Sequence, residues 1–195
     1  QDVTYSTRTP HAFDFFSRIP DGRRRWVAAV DAGGSGFFET STDRLRGRKL
    51  FCWGNSQGGK QWQEFLAAPG HAYIEIQAGL ARTQMETVPM PANTEWAWTE
   101  AFGLIETDPA KAHGDDWQVA WRAAAEEIER RIPRARLEDL HERFAAITDR
   151  APAKVLRCGS GWGCLEQLRR RQTCEDPGQP AELDFGAASL GPEQA

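Results

Sequence analysis

No stretch of this sequence stays apolar for the roughly 20 residues a helix needs to cross a bilayer, so no membrane-spanning helix is expected within it. Basic residues are not in excess. Lys and Arg number 24 against 28 Asp and Glu, a net charge of −4, which argues against a general nucleic-acid binder. Lysine itself is scarce (Lys49, Lys60, Lys111 and Lys154), so arginine carries most of the positive charge, a skew typical of GC-rich coding and not a sign of a binding surface. The histidines His11, His71, His113 and His141 are scattered without metal-type spacing, and no serine or cysteine sits in a nucleophile elbow. Cys158 and Cys164 flank Gly159-Ser160-Gly161-Trp162-Gly163, a spacing unlike common zinc patterns, and Cys52 lies in an apolar strand-like run suited to a buried free thiol. The sequence therefore predicts no metal, no cofactor, no nucleic acid and no membrane partner. It also predicts a reduced, cytoplasmic-type chain. Absence of an initiating Met at Gln1, and of any closing element before Ala195, reads as an interior fragment of a larger protein.

What is present is a chain with 40% hydrophobic residues and eight tryptophans, enough for a core over part of its length. Residues 1–105 have β texture. Trp26–Asp31 and Gly36–Thr42 flank the turn Ala32-Gly33-Gly34-Ser35, predicting a hairpin. Lys49–Gly54 is a further strand candidate, and Tyr73-Ile74-Glu75-Ile76-Gln77 alternates, with both isoleucines on one face. Strands are also predicted over Thr83–Met90 and Thr94–Phe102, on either side of Pro89-Met90-Pro91. Several short strands at this spacing indicate an antiparallel sandwich or barrel.

After Gly103 the period changes. Trp117, Trp121, Ala124 and Ile128 recur at helical spacing behind the acidic pair Asp115-Asp116, and Pro133 ends that stripe. Leu137, Leu140, Phe144 and Ile147 form a second stripe, and the two helices are predicted to pack on each other as an antiparallel pair. A third short helix is predicted over Cys164–Gln172. The domain plan is thus a partial sandwich over 1–105, a helical segment over 106–173, and a linker or truncated element over 174–195.

Two Gly-rich segments invite nucleotide-site readings that their contexts reject. Gly54-Asn55-Ser56-Gln57-Gly58-Gly59-Lys60 follows a strand like a phosphate-binding loop, but Gln61 stands where a magnesium-binding Ser or Thr is required, and no parallel βαβ pattern surrounds it. A Gly-rich loop ahead of a short turn at Trp62–Leu66 accounts for it. The Gly159–Gly163 run lies between helices and does not follow a strand, as a dinucleotide turn would. The chemistry-bearing segment is Glu75-Ile76-Gln77, which sets a carboxylate beside an amide on one face of a strand. Such a pair binds sugar hydroxyls, or supplies a general base when partly desolvated, although a solvent-facing strand produces the same pattern.

The runs Thr40–Gly54 and Tyr73–Gly79 resemble the uncharacterised domain-of-unknown-function 5107 family, over most of residues 1–172. In that family such a domain precedes tetratricopeptide-like helical repeats, which implies possible protein partners through repeats outside this sequence. More distantly, Glu75-Ile76-Gln77, a proline a dozen residues on, and Glu95-Trp96-Ala97-Trp98 are similar to the closing strands of aldose 1-epimerases, over about thirty residues. That similarity implies the C-terminal part of a galactose-mutarotase-like antiparallel β-supersandwich, a carbohydrate ligand, and Glu75 as catalytic acid or base. No residue matches the mutarotase acid, a histidine on an earlier strand. Gln77 and Asn55 would then hold hydroxyls, and Trp53 or Trp62 would give a platform for a sugar ring. The alternative is a non-catalytic protein-interaction scaffold.

Overall fold

The computed structural model describes residues 5–148 together with Arg150, Ala153, Lys154, Leu165, Leu168, Arg169, Gln172 and Thr173. The third predicted helix, the Gly159–Gly163 run, the cysteines Cys158, Cys164 and Cys174, and the predicted linker from 174 lie wholly or mostly outside them. The chain divides into two compact units, Gln1–Glu142 and Arg143–Ala195. In the second, the Thr148 hydroxyl donates to the Phe144 carbonyl at 2.9 Å.

The first unit is β-rich, with two antiparallel three-stranded sheets and several helices. β1 (Phe13–Phe16), β4 (Gly47–Cys52) and β5 (Ile74–Gly79) form one sheet in the order β1-β4-β5. β2 (Arg25–Val30), β3 (Ser35–Ser41) and β6 (Glu100–Glu106) form the other, in the order β2-β3-β6. The predicted hairpin is β2–β3. Its loop is held by Asp31, whose Oδ1 accepts from the backbone N–H groups of Gly33 (2.8 Å) and Ser35 (3.0 Å), an Asx arrangement typical of tight turns.

Four α-helices have their full spans among the described residues. α1 spans Gln57–Leu66, α2 Pro109–Ala112, α3 Trp117–Arg131 and α4 Arg134–Ala145. Asp116 caps α3, accepting from Gln118 N and Val119 N, as its place before the apolar stripe implies. The apolar stripe of α3 does not seek α4. Ile128 is fully buried with Phe38 and Ile105 of the second sheet, and Ala124, Ile132, Trp26, Ala28 and Val30 close around them. Trp121 stacks on Trp26 with ring centroids 6.3 Å apart, while Trp117 is 61% exposed. The expected helix pair therefore gives way to helix-on-sheet packing, because one face of β2-β3-β6 is apolar and uncovered until α3 lies on it. Gly103 makes this core possible: a Cβ there would stand 2.6 Å from the Phe38 ring, so only glycine lets that ring lie across β6. α4 is tied down at its ends by polar contacts. Arg134 meets Asp43 at 2.8 Å and the Gly22 carbonyl at 3.0 Å, and His141 is half-buried and bonds the Thr99 hydroxyl at 3.0 Å.

The strands predicted over Thr83–Met90 and Thr94–Phe102 are not formed, apart from Glu100–Phe102, where β6 begins. Residues 80–99 make an irregular arch. Two prolines remove ladder donors at its centre, and the Arg44 guanidinium lies 4.3 Å from the Trp96 ring centroid, a cation–π contact in place of strand pairing.

The sheets meet where Arg48 of β4 reaches across to β3. Arg48 is 1% exposed and Glu39 2%. Arg48 Nε lies 2.6 Å from Glu39 Oε2, and Nη2 donates to Glu39 Oε1 at 3.0 Å and to the Ser41 hydroxyl at 2.7 Å. The remaining nitrogen, Nη1, donates to the carbonyls of Leu45 and Gly47. Burial pushes the Glu39 carboxyl up to about 7, with nearby Glu100 adding to the rise and Arg48 opposing it. Unfolding returns that carboxyl to an ordinary value near 4.5. Between these values the folded state holds a proton that the unfolded chain has released, so the contribution of Glu39 to stability is full below about 4.5 and is lost as the pH rises through 7. Urea unfolding at a series of pH values should show this decline, and Glu39→Gln should remove it. An equal decline in the variant would assign the effect to another group.

Candidate functional site

In an antiparallel ladder, directly opposed residues share a face and their neighbours point the other way. Register pairs Asp14 with Phe51 and Phe51 with Glu75; one alternation on, Phe16 pairs with Lys49 and Lys49 with Gln77. Asp14, Phe16, Lys49, Phe51, Glu75 and Gln77 therefore occupy one face of the β1-β4-β5 sheet. Ile74, Ile76, Leu50, Phe15 and Arg48 occupy the other. Both isoleucines are half-buried.

Polar groups on the first face are partly paired with one another. Lys49 Nζ lies 2.8 Å from Asp14 Oδ1, and its ammonium is 5.4 Å from the Phe51 ring centroid. Glu75 is half-buried on the edge strand β5, with no hydrogen-bond or ion-pair partner among the described residues. Gln77 is exposed, its Oε1 3.5 Å from Gln84 Nε2 of the arch.

An aromatic ladder leaves this face at the Phe51 end. Phe51 meets Trp53 edge-on at 4.9 Å, Trp53 stacks on Trp62 of α1 at 5.2 Å with the planes 20° apart, and Trp62 meets Phe65 edge-on at 6.0 Å. Trp62 is 49% exposed and Phe65 79%. The turn from β4 into α1 aims this ladder. Gly54 has φ +74°, and a Cβ there would lie 2.3 Å from the His11 carbonyl carbon, so the chain can reverse there only as glycine. Ser56 then caps α1 by accepting from Gly59 N, and Gln63 Nε2 returns a 2.8 Å hydrogen bond to the Gly54 carbonyl. Trp62–Leu66, expected as a short turn, is the second half of a ten-residue helix. The cap and the Gln63 bond offset the low helix propensity of Gly58-Gly59.

At the Gln77 end, a shallow open depression of about 280 Å³ is lined among others by Phe16, Lys49, Gln77, Arg82, Gln84 and Glu86. Of the five residues singled out from sequence, Glu75, Gln77 and Trp53 lie along one surface, and Trp62 joins it through the Trp53 stack. Asn55 serves elsewhere. Its Nδ2 donates to the Thr7 carbonyl at 2.5 Å and its N–H to the Thr9 carbonyl at 2.9 Å, fastening the N-terminal segment. Asp14, Lys49 and Phe65 were not singled out from sequence. Strand register and helix rotation, which no local motif encodes, bring them to the site.

Among the described residues no group of three or more His, Cys, Asp or Glu side chains could hold a metal, and no helix is long and apolar enough to cross a membrane. Cys52 is a buried free cysteine whose thiol is pushed up by burial.

Two antiparallel sheets, one of them covered by α3, together with further helices define a mixed β-plus-α protein. Residues 25–96, from the start of β2 through β5 into the arch, match a family model described as Domain of unknown function (DUF5107). No curated protein and no solved structure gave a match.

Proposed function

We propose that the face of β1-β4-β5, extended by the aromatic ladder onto α1, binds carbohydrate. The observation that carries the reading is the Trp53–Trp62–Phe65 ladder, half exposed beside a strand face bearing Glu75 and Gln77. Sugar rings present an apolar face of C–H bonds that packs on aromatic rings, and hydroxyls at their rims that need directional partners. An open aromatic surface flanked by a carboxylate and an amide offers both. From position 49 to position 53 the face runs roughly 13 Å along the strand, which suits an extended saccharide. In this reading Trp62 and Phe65 are the platform, Gln77 holds a hydroxyl, and Glu75 accepts from hydroxyls or, where turnover occurs, acts as acid or base. The same reading makes the two sheets the C-terminal part of a galactose-mutarotase-like supersandwich. It is supported by the apolar side chains left open on the second sheet, where Phe37, Phe102 and Leu104 are 40%, 64% and 72% exposed.

The test is Glu75→Gln, which keeps shape and removes charge. Surface changes of this kind alter stability by about 0.5 kcal/mol or less, so the melting temperature should stay within a few degrees. Affinity for a bound glycan should fall roughly fivefold for the loss of a charge-assisted hydrogen bond, and any turnover should fall by about 10²–10⁴-fold. A glycan array that finds a ligand bound equally by both forms would remove Glu75 from the site. An array without any ligand would leave a protein-interaction role as the better account.

A further inference from the structure

Three arginines from distant parts of the chain converge on one exposed carboxylate. The Nη2 atoms of Arg25, Arg46 and Arg82 lie 3.2, 3.6 and 3.5 Å from Asp21 Oδ1. Asp21 is 75% exposed, in the turn before β2; Arg46 and Arg82 are about half exposed, just before β4 and just after β5. A guanidinium carries five N–H donors. Arg25 spends one on the Ile19 carbonyl at 2.7 Å, whereas the guanidinium groups of Arg46 and Arg82 each have Asp21 as their one charged partner among the described residues; the Arg82 backbone N–H donates separately to Glu86 Oε2 at 2.9 Å. Three arginines against the two carboxylates of Asp21 and Glu86 still leave a positive surplus, and the arginines hold the Asp21 carboxyl below the usual carboxylate range, first through the Arg25 hydrogen bond and then through Arg82. Arg82 also lines the depression that holds Gln77 and Lys49, so the cluster borders the proposed sugar-binding face.

We infer that Arg46 and Arg82 form an anion subsite at the end of this face, occupied by the carboxylate or sulfate of an acidic sugar, with Asp21 standing in for that group when the ligand is absent. Planar guanidinium pairs suit both oxyanions, and the spare donors point to a second anionic partner. The inference rests on the carbohydrate reading for the identity of the ligand, while the subsite itself rests on the arginine geometry alone.

The experiment is an NMR titration of the protein with glucose, glucuronate and inorganic sulfate at matched ionic strength. The amides of Arg46 and Arg82 and the indole N–H of Trp62 are followed. Glucuronate should move both sets and bind about 10-fold more tightly than glucose, because the added contacts are charge-assisted, and sulfate should move only the arginines. Asp21→Asn, which removes the internal competitor, should tighten glucuronate severalfold. Arg46→Gln with Arg82→Gln should reduce glucuronate to the affinity of glucose. Equal Trp62 shifts from both sugars, with still arginines, would overturn the subsite and leave the carbohydrate reading standing. Arginine shifts from sulfate with no Trp62 shift from either sugar would support the subsite and overturn the carbohydrate reading. Silence at all three positions would overturn both.

Discussion

Arg48→Met should destabilise the protein by about 3–5 kcal/mol, the usual consequence of leaving a buried charge without its partner. The substitution preserves most of the side-chain volume, so the effect isolates charge. Glu39, 2% exposed, would lose its only close cation among the described residues, and Ser41 and the carbonyls of Leu45 and Gly47 would lose the donor that satisfies them. For a domain whose total stability is about 5–15 kcal/mol, this approaches loss of the fold, and a fall in melting temperature of roughly 10–20 °C is expected. Adding Glu39→Leu should recover much of the loss, because the stranded carboxylate is then gone, and a double-mutant cycle reads the coupling directly. The pH dependence sharpens the prediction. With the Glu39 carboxyl already raised to about 7, acid neutralises it readily, so Arg48→Met should destabilise less at pH 5 than at pH 8. Equal losses at both pH values would mean that packing, and not charge, dominates at this position.

Trp62→Ala is expected to weaken glycan binding by about 2 kcal/mol, roughly 30-fold, as for other half-exposed aromatic anchors. Trp62 is the outer member of the Trp53 stack, meets Phe65 edge-on and is 49% exposed, so part of its ring is open to a ligand. Removing it takes away the platform and also uncovers Trp53, whose indole N–H has no partner among the described residues. Trp62→Phe keeps an apolar ring with a smaller face and should retain most of the affinity. Stability should change far less than affinity, since the ring is only half-buried and α1 is held independently by Ser56 and Gln63. Isothermal titration of the two variants against a glycan found by array separates these effects, and an unchanged affinity for Trp62→Ala would move the site off the ladder.

Elements with a strong local period were legible in the sequence. The hairpin β2–β3 shows in the strand texture either side of Gly33-Gly34, and β4, β5, α3 and α4 show in alternation or a helical stripe. Residues 83–99 have aromatic and β-branched residues such as Val88, Trp96 and Trp98 with strand propensity, but among the described residues no strand pairs with them, and Trp98 instead donates to Glu100 at 3.1 Å. α1 is longer than the short turn expected at Trp62–Leu66, because the Ser56 cap and the Gln63 bond hold Gly58-Gly59, poor helix formers, in its first turn. At the site, the shared face of Glu75 and Gln77 follows from alternation alone. Asp14 and Lys49 reach it only through strand register, and the meeting of Asp21, Arg46 and Arg82 spans 61 residues that no window reads together.

The central claim, that sugar rings lie on the Trp62–Phe65 platform, is tested most directly by saturation-transfer NMR, with a bound glycan observed while protein aromatic protons are irradiated. The account predicts that saturation reaches the ring C–H protons of one sugar face most strongly and that Trp62→Ala removes this pattern. Saturation spread evenly over the glycan, or left intact in Trp62→Ala, would contradict it.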